Sequence, residues 1–296
     1  LLLALGGGSV IDATKAMLIA LWAGLETTEA LDPYRAGRGG DREARHALTP
    51  TLYMAAAPTT LSAAEFTILA GVTDVGRGGK EGFAHKDLAP IGIILDPDLT
   101  RSTPPVLWFS TGMKAIDHAV EQLCSLERSL MYDAVAEEGL TLLVKGLRAT
   151  RLNPDDLQGR QDCQFGMWRA MASARSGRGM GASHAIGHTL GGSYGVPHGI
   201  TSCVILPAVL AWNAAAGTER QEVISRIIGA KGRASEAVAG FVRELGLPST
   251  LKAVGVKRSD FQAIAEHTIH DAGVRTNPRP IGGPEDIVEI LELAAG

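Results

Sequence analysis

The sequence predicts an α/β nucleotide-binding layer, built on an incomplete parallel sheet, followed by an all-α domain. Three observations predict it. The chain opens on an apolar run, Leu1–Leu5, that breaks at Gly6-Gly7-Gly8-Ser9 into a helical pattern starting Val10-Ile11-Asp12. Short apolar runs then alternate with helical stretches to about residue 100, the texture of a largely parallel sheet. Beyond Pro104 one helical pattern follows another with no strand-like run between them. The expected division is a dinucleotide-binding domain over 1–100 and a helical catalytic domain over 101–296.

In order, the strand-like runs are Leu1–Leu5, Leu52–Ala57, Ile68–Val72 and Ile91–Leu95, with helices near Val10–Trp22 and Ala63–Phe66. Arg38-Gly39-Gly40-Asp41-Arg42-Glu43 reads as a polar loop, and Asp96-Pro97-Asp98-Leu99 ends the last strand with turn chemistry. The second half predicts helices over Gly112–Leu126, Met131–Ala149, Asp155–Ser176, His184–Leu190, Ile205–Ala215, Glu219–Ile228, Arg233–Leu245, Phe261–His267 and Pro284–Ala295. The cleft between the two halves is the default expectation for a site.

The first turn carries the first functional signal. Three glycines between a strand and a helix let bare N–H groups approach a phosphate, and the helix dipole favours its charge. The same glycines also suit a tight strand-to-helix connection that binds nothing, because the motif is weak alone. A parallel sheet needs strands on both sides of this one. The chain is therefore expected to lack an N-terminal piece and, with it, part of the cofactor site.

Composition narrows the function classes. The chain has 296 residues, 45% of them hydrophobic and 20% charged, with a formal charge of −4, so it reads as a soluble globular protein. No basic stripe with interleaved aromatics points to nucleic acid. No 18-residue apolar stretch is free of glycine and charge, so no membrane partner is expected. Cys124, Cys163 and Cys203 are odd in number and widely spaced, which argues for free thiols in a reducing cytoplasm rather than disulfides or a cysteine zinc site.

The second signal is a histidine group. His184 and His188 are four apart, so they share one helix face. The helix is expected to stop at Gly191-Gly192, and Pro197 to return His198 from a loop. A fourth histidine, His118, lies in Thr111-Gly112-Met113-Lys114-Ala115-Ile116-Asp117-His118-Ala119-Val120-Glu121, one turn after Lys114. Singly these are ordinary histidines. Together they suggest a metal site or an acid/base cluster, with all four imidazoles converging on one pocket that has Lys114 at its edge.

At these residues the chain resembles the iron-containing (group III) alcohol dehydrogenase superfamily, in its maleylacetate-reductase-like branch. The likeness runs in order through Gly6–Ser9 with Asp12 and Lys15, Pro58-Thr59-Thr60 with Ser62 and Glu65, and Thr73-Asp74 with Lys80. It continues through Asp96–Leu99, Thr111–Met113 with His118, residues 184–198, and Asn277-Pro278-Arg279-Pro280. The resemblance implies an NAD- or NADP-binding α/β domain ahead of a helical one. It implies that Gly7, Gly8 and Ser9 hold the pyrophosphate and that Thr59, Thr60 and Ser62 lie beside the ribose and nicotinamide. Lys80 would touch the cofactor and Leu99 would flank the adenine. His118, His184 and His198 match the family's Fe- or Zn-binding histidines, and His188 matches a histidine suited to proton relay.

One departure is large. Metal-dependent members carry aspartate at the position of Lys114, and an ammonium beside a divalent ion costs several kcal/mol at low dielectric. Maleylacetate reductases also lack that aspartate. Lys114 as a cation would instead neutralise a substrate carboxylate or a developing enolate. If Lys114 points away, three imidazoles remain to hold a metal. The resemblance thus implies an NAD(P)-dependent oxidoreductase acting on a small unsaturated or keto acid such as maleylacetate, in aromatic-compound degradation. In it His188, His198 and Lys114 are catalytic, and the enzyme is a cytoplasmic homodimer. The alternatives are a metal-dependent alcohol dehydrogenase, a lyase of the dehydroquinate-synthase type, and a cofactor-less fragment. The strand that chooses between NAD and NADP is expected to lie in the missing N-terminal piece, so the resemblance implies either cofactor.

Overall fold

The computed structural model describes every residue except 37, 38, 75, 77, 78, 128, 176 and 178, and the side chains of Lys80 and Thr218 also lie outside the description. The chain forms two compact units, Leu1–Thr103 and Pro104–Gly296.

The first unit begins with β1 (Leu2–Gly6), which runs into α1 (Gly8–Ala23) through Gly7. After α2 (Arg42–Ala47) comes β2 (Met54–Pro58), parallel to β1 in a register from Leu2↔Met54 to Gly6↔Pro58. This is a strand–helix–strand crossover, the connection that parallel pairing requires. Ile11, Leu18 and Ile19 of α1 bury against Ala4, Met54 and Ala56 of the sheet. Gly24 closes α1 in the left-handed region at φ 65°, donating its N–H back to the last turn. Next follow β3 (Leu69–Asp74) and β4 (Gly79–Ala84), and then β5 (Gly92–Ile93), which completes the parallel order β1-β2-β5.

Four expectations need correction here. β3 and β4 form a separate antiparallel hairpin, so the unit is not one parallel sheet. β4 escapes the periodicity because Gly79-Lys80-Glu81-Gly82 has no alternating apolar residues. The last parallel strand is two residues, Gly92–Ile93, not Ile91–Leu95. The polar run over 38–43 is partly helical: Asp41 accepts the N–H groups of Glu43 and Ala44 and starts α2, while Arg38 lies outside the described residues.

The second unit is helical throughout its described residues. α3 (Pro105–Cys124) is its axis, buried almost all round from Trp108 to Leu123. It packs on α4 (Leu130–Leu152), α5 (Leu157–Ala174) and, after α6 (Ala182–Tyr194), on α7 (His198–Asn213). α4 and α5 meet backbone to backbone through glycines: a Cβ on Gly146 would lie 2.4 Å from the Gly159 carbonyl oxygen, and one on Gly166 2.9 Å from that of Gly139. α8 (Thr218–Ile228), α9 (Ala234–Glu244), α10 (Phe261–Thr268), the short α11 (Ala272–Arg275) and α12 (Pro284–Leu293) surround this core. The segment His198–Ala216, containing α7, is long and apolar enough to cross a membrane, but two thirds of it (67%) is buried in the unit, as in a core helix.

Candidate active site

In the first unit the glycine turn and the loop after β2 are neighbours. The Thr59 N–H donates to the Gly6 carbonyl at 3.0 Å, and the Thr103 hydroxyl holds the Thr59 carbonyl at 2.7 Å. Side chains of this loop also explain the glycines. A Cβ on Gly7 would meet Thr60 Cγ2 at 2.9 Å, and one on Gly8 would meet Ser62 Oγ at 2.8 Å. The glycines are thus required by the packing of the loop, whatever ligand the turn accepts. Gly7 precedes α1 without a capping side chain and the first turn holds no acid, so the positive end of the helix has no negative group of its own there. That arrangement fits the pyrophosphate of a dinucleotide. Ser9 is exposed, Thr60 is buried, and Leu99 is half-buried in a 3₁₀ turn (Asp98–Thr100) that touches β2. Lys80 pairs through its backbone with Thr73, and its side chain is outside the described residues.

The loop is clamped from below. Lys15, fully buried on α1, donates to the carbonyls of Ala64, Thr67 and Leu69 at 2.6–2.8 Å. Asp12 accepts the Gly71 N–H at 3.1 Å. Between these anchors Ala63 adopts φ 62°, a left-handed strain for a residue with a side chain. Beside it Glu65 is buried, and neither carboxylate oxygen reaches a hydrogen-bond partner among the described residues. Burial pushes its carboxyl up to about 7, opposed by its own backbone amide and by Lys15.

In the second unit the four histidines form one run of rings. Centroids lie 4.9 Å apart for His118 and His184, 6.4 Å for His184 and His188, and 5.9 Å for His188 and His198. Two glycines let the helices approach closely enough: a Cβ on Gly199 would lie 2.7 Å from the Ser110 carbonyl of α3, and one on Gly187 3.0 Å from Thr201 Oγ1 of α7. Two local expectations are corrected. α6 does not stop at Gly191-Gly192; no side chain there breaks it, and it runs to Tyr194 before Gly195 turns it off at φ 66°. His198 is not delivered by a loop but is the first residue of α7, since Pro197 suits the position just before a helix.

His118 and His184 form the buried end and His188 the open end, its side chain 55% exposed. The His188 Nδ1 lies 2.9 Å from Asp271 Oδ2, and this hydrogen bond holds the Asp271 carboxyl below the usual range. Asp271 also accepts the Gly273 N–H and so begins α11. His118 Nδ1 and His184 Nε2 are buried without a hydrogen-bond partner among the described residues. Burial drives His118 well below its ordinary value and His184 down to about 3, so both imidazoles are neutral at pH 7.

Three charged side chains of α3 complete the cluster. Lys114 is buried, its Nζ 3.7 Å from Asp117 Oδ2, an ion-pair distance too long for a hydrogen bond. Burial lowers Lys114 and raises Asp117, and each resists the other's neutralisation by attraction. Asp117 Oδ2 accepts from Ser202 Oγ at 2.6 Å and Ser183 Oγ at 3.0 Å. Glu121 accepts the N–H groups of Gly181 and Ser183 at 2.8 Å and faces His184 Nδ1 at 2.6 Å. Asp117 and Glu121 stand in the sequence motif, but sequence reasoning assigned them no role. The signal that finds them is the helical spacing Lys114, Asp117, His118 and Glu121, which lies on one face of α3.

Asp117, Glu121 and His184 bring ligand atoms within 4.8 Å of one another, a grouping that suits a cation by distance. Its chemistry suits one less. The Glu121 oxygens already accept two backbone N–H groups and face His184 Nδ1, and Asp117 Oδ2 accepts two hydroxyls, while Asp117 Oδ1 is buried with no partner among the described residues. The imidazole nitrogens left open share their surroundings with a lysine. The buried ammonium of Lys114 is what counts against a tightly held divalent ion there.

Comparison with known proteins agrees with this architecture. Residues 1–97 match the model of the iron-containing alcohol dehydrogenase family, and residues 108–295 match that of the C-terminal domain of the Fe-containing alcohol dehydrogenases. The dehydrogenase ALT3 of Alternaria alternata is 31% identical over 99% of this chain and 84% of its own. A maleylacetate reductase of Burkholderia cepacia is 33% identical over 83% of this chain and 67% of its own. The crystal structure of an iron-containing alcohol dehydrogenase from Corynebacterium glutamicum superposes with a TM-score of 0.78 at 27% identity, covering 99% of this chain and 73% of that one. These relatives are named as dehydrogenases and a reductase, and the chain belongs to the iron-containing alcohol dehydrogenase family of oxidoreductases.

Proposed function

We propose that this protein is an NAD(P)-dependent reductase of a small unsaturated or keto acid of the maleylacetate kind, working without a tightly held metal. The observation that carries this reading is Lys114, a buried amine with no hydrogen-bond partner among the described residues, beside two neutral imidazoles. A buried polar group left unmade is costly, so its place is explained by a ligand that completes it. A carboxylate or enolate oxygen does so, and Asp117 at 3.7 Å opposes the loss of charge that burial favours. The maleylacetate reductase of Burkholderia cepacia among the relatives supports the substrate class.

The dinucleotide, when bound, supplies the hydride. Gly7, Gly8 and Ser9 hold its pyrophosphate at the start of α1, with Thr59, Thr60 and Ser62 beside them. Leu99 flanks the adenine and Lys80 touches the cofactor. Lys114 steadies the negative charge that develops on the substrate oxygen. His188 carries the proton: Asp271 holds its Nδ1, which leaves Nε2 to exchange with solvent at the open end of the ring run. His198, stacked on it, shares the relay.

The test pairs substrates with metal analysis. NAD(P)H oxidation by the full-length protein is expected with maleylacetate and not with primary aldehydes, and to persist after dialysis against EDTA. Lys114→Met should lower kcat/KM for the acid by about 10²-fold or more, while leaving dinucleotide affinity in place. A stoichiometric iron or zinc whose removal abolishes turnover overturns the reading. It would favour the second one, a metal-dependent alcohol dehydrogenase, for which the 4.8 Å grouping of Asp117, Glu121 and His184 speaks.

A further inference from the structure

α6 begins without help from its own sequence. Gly181 precedes it with no side chain, and its first three N–H groups go to distant partners: those of Gly181 and Ser183 to Glu121, and that of Ala182 to Asn277 Oδ1. A Cβ on Gly181 would sit 2.7 Å from Glu121 Oε1, so glycine there is what lets the carboxylate approach. The negative charge lies at the positive end of a 13-residue helix, where the dipole favours it. The same carboxylate turns to the side chain of the helix's third residue, with Oε2 at 2.6 Å from His184 Nδ1.

That contact decides which nitrogen of His184 carries the proton. In a neutral imidazole one nitrogen donates and the other accepts. A carboxylate with no proton to offer requires Nδ1–H, and Asp117 Oδ2 at 3.5 Å from Nδ1 reinforces the demand. The proton is then absent from Nε2, which is buried and has no partner among the described residues. We infer that Glu121 is a positioning residue that locks His184 in the Nδ1–H form, so that Nε2 presents its lone pair to an O–H group of the bound ligand.

Glu121 thus does two things with one side chain: it caps the helix that carries His184 and sets what His184 offers. The identity of the O–H as an enol or hydroxyl of the substrate rests on the function proposed above; the tautomer does not. Asn277 separates the two roles, because it caps Ala182 N without touching the imidazole. It is itself held by Asn213 and by the Arg279 carbonyl, which gives the Asn277-Pro278-Arg279-Pro280 motif a place in the same support.

The experiment uses the full chain labelled with ¹⁵N-histidine, and His184→Gln to assign the resonances. Long-range ¹H–¹⁵N correlation is expected to show a pyrrole-type Nδ1 and a pyridine-type Nε2 for His184. Glu121→Gln removes the charge that demands Nδ1–H, and an amide NH2 turned to Nδ1 would lose the Gly181 N–H bond, so a mixture of the two forms is expected. kcat should fall about 10²-fold or more, as for a catalytic imidazole held in its wrong form, with dinucleotide Kd within twofold of wild type. Asn277→Ala should lower Tm and leave the His184 pattern unchanged. An Nε2–H form in the wild type overturns the inference, as does a Glu121→Gln variant whose His184 spectrum and kcat are both identical to wild type. Should Glu121→Gln fail to fold, the wild-type spectrum decides alone. A correct tautomer with no maleylacetate turnover would overturn the proposed substrate and leave Glu121's role standing.

Discussion

Glu65→Gln offers a measurement whose size follows from the geometry of the first unit. Glu65 is 1% exposed and neither oxygen finds a hydrogen-bond partner among the described residues. Its carboxyl is raised from 4.5 to about 7, first by burial. A carboxyl raised in the folded state binds a proton there that the unfolded chain has already released. Its contribution is therefore fully present below pH 4.5 and is lost as pH rises through about 7. A shift of that size corresponds to about 3 kcal/mol. Glutamine keeps the shape of the protonated form and does not titrate. Urea unfolding of wild type and variant at pH 4.5, 6, 7 and 8, with all other groups common to both, isolates the term as a difference of differences. The wild type should lose about 3 kcal/mol more than Glu65→Gln between pH 4.5 and pH 8, most of it before pH 7. Parallel pH curves would refute the reasoning, and would mean that the carboxylate is solvated or paired when charged.

Two further changes test the packing of each unit. Gly146→Ala places a methyl group 2.4 Å from the Gly159 carbonyl and 2.7 Å from Cys163 Sγ, so α4 and α5 must separate. Thermal unfolding should show a loss of about 1–3 kcal/mol, and an unchanged Tm would mean that the helices are not in backbone contact. Gly8→Val drives a branched side chain into Ser62 Oγ, at 2.8 Å from the new Cβ. Calorimetric titration should show dinucleotide Kd weakened more than tenfold (about 1.4 kcal/mol), with partial recovery when Ser62 is also changed to Gly. An unaltered Kd would remove the glycine turn from the cofactor site.

What the sequence determined by itself was local and periodic. An apolar run breaking at Gly6-Gly7-Gly8 specified β1, the turn and α1, because strand, helix and glycine each leave a signature within a few residues. The 3.6-residue period specified the succession of helices beyond Pro104, and the four-residue spacing of His184 and His188 placed them on one face. Signals fail where the cause is distant or weak. The β3–β4 hairpin has glycines where alternation would be read, and two residues of β5 are too few for a period.

The tertiary structure decided what the side chains do. Glu121 and Asn277 cap α6 across 60 and 95 residues of chain, and Asp271 meets His188 across 83. No local pattern encodes such pairs, because their geometry exists only once α3, α6 and α11 have packed. The same holds for Gly8, whose missing side chain reads from the sequence as room for phosphate and proves in the fold to be room for Ser62. Lys114 is the sharpest case. From sequence it was a cation one turn before a histidine; its burial beside Asp117 without a hydrogen bond is a consequence of the helices closed around it, and low dielectric is what makes that position chemically consequential.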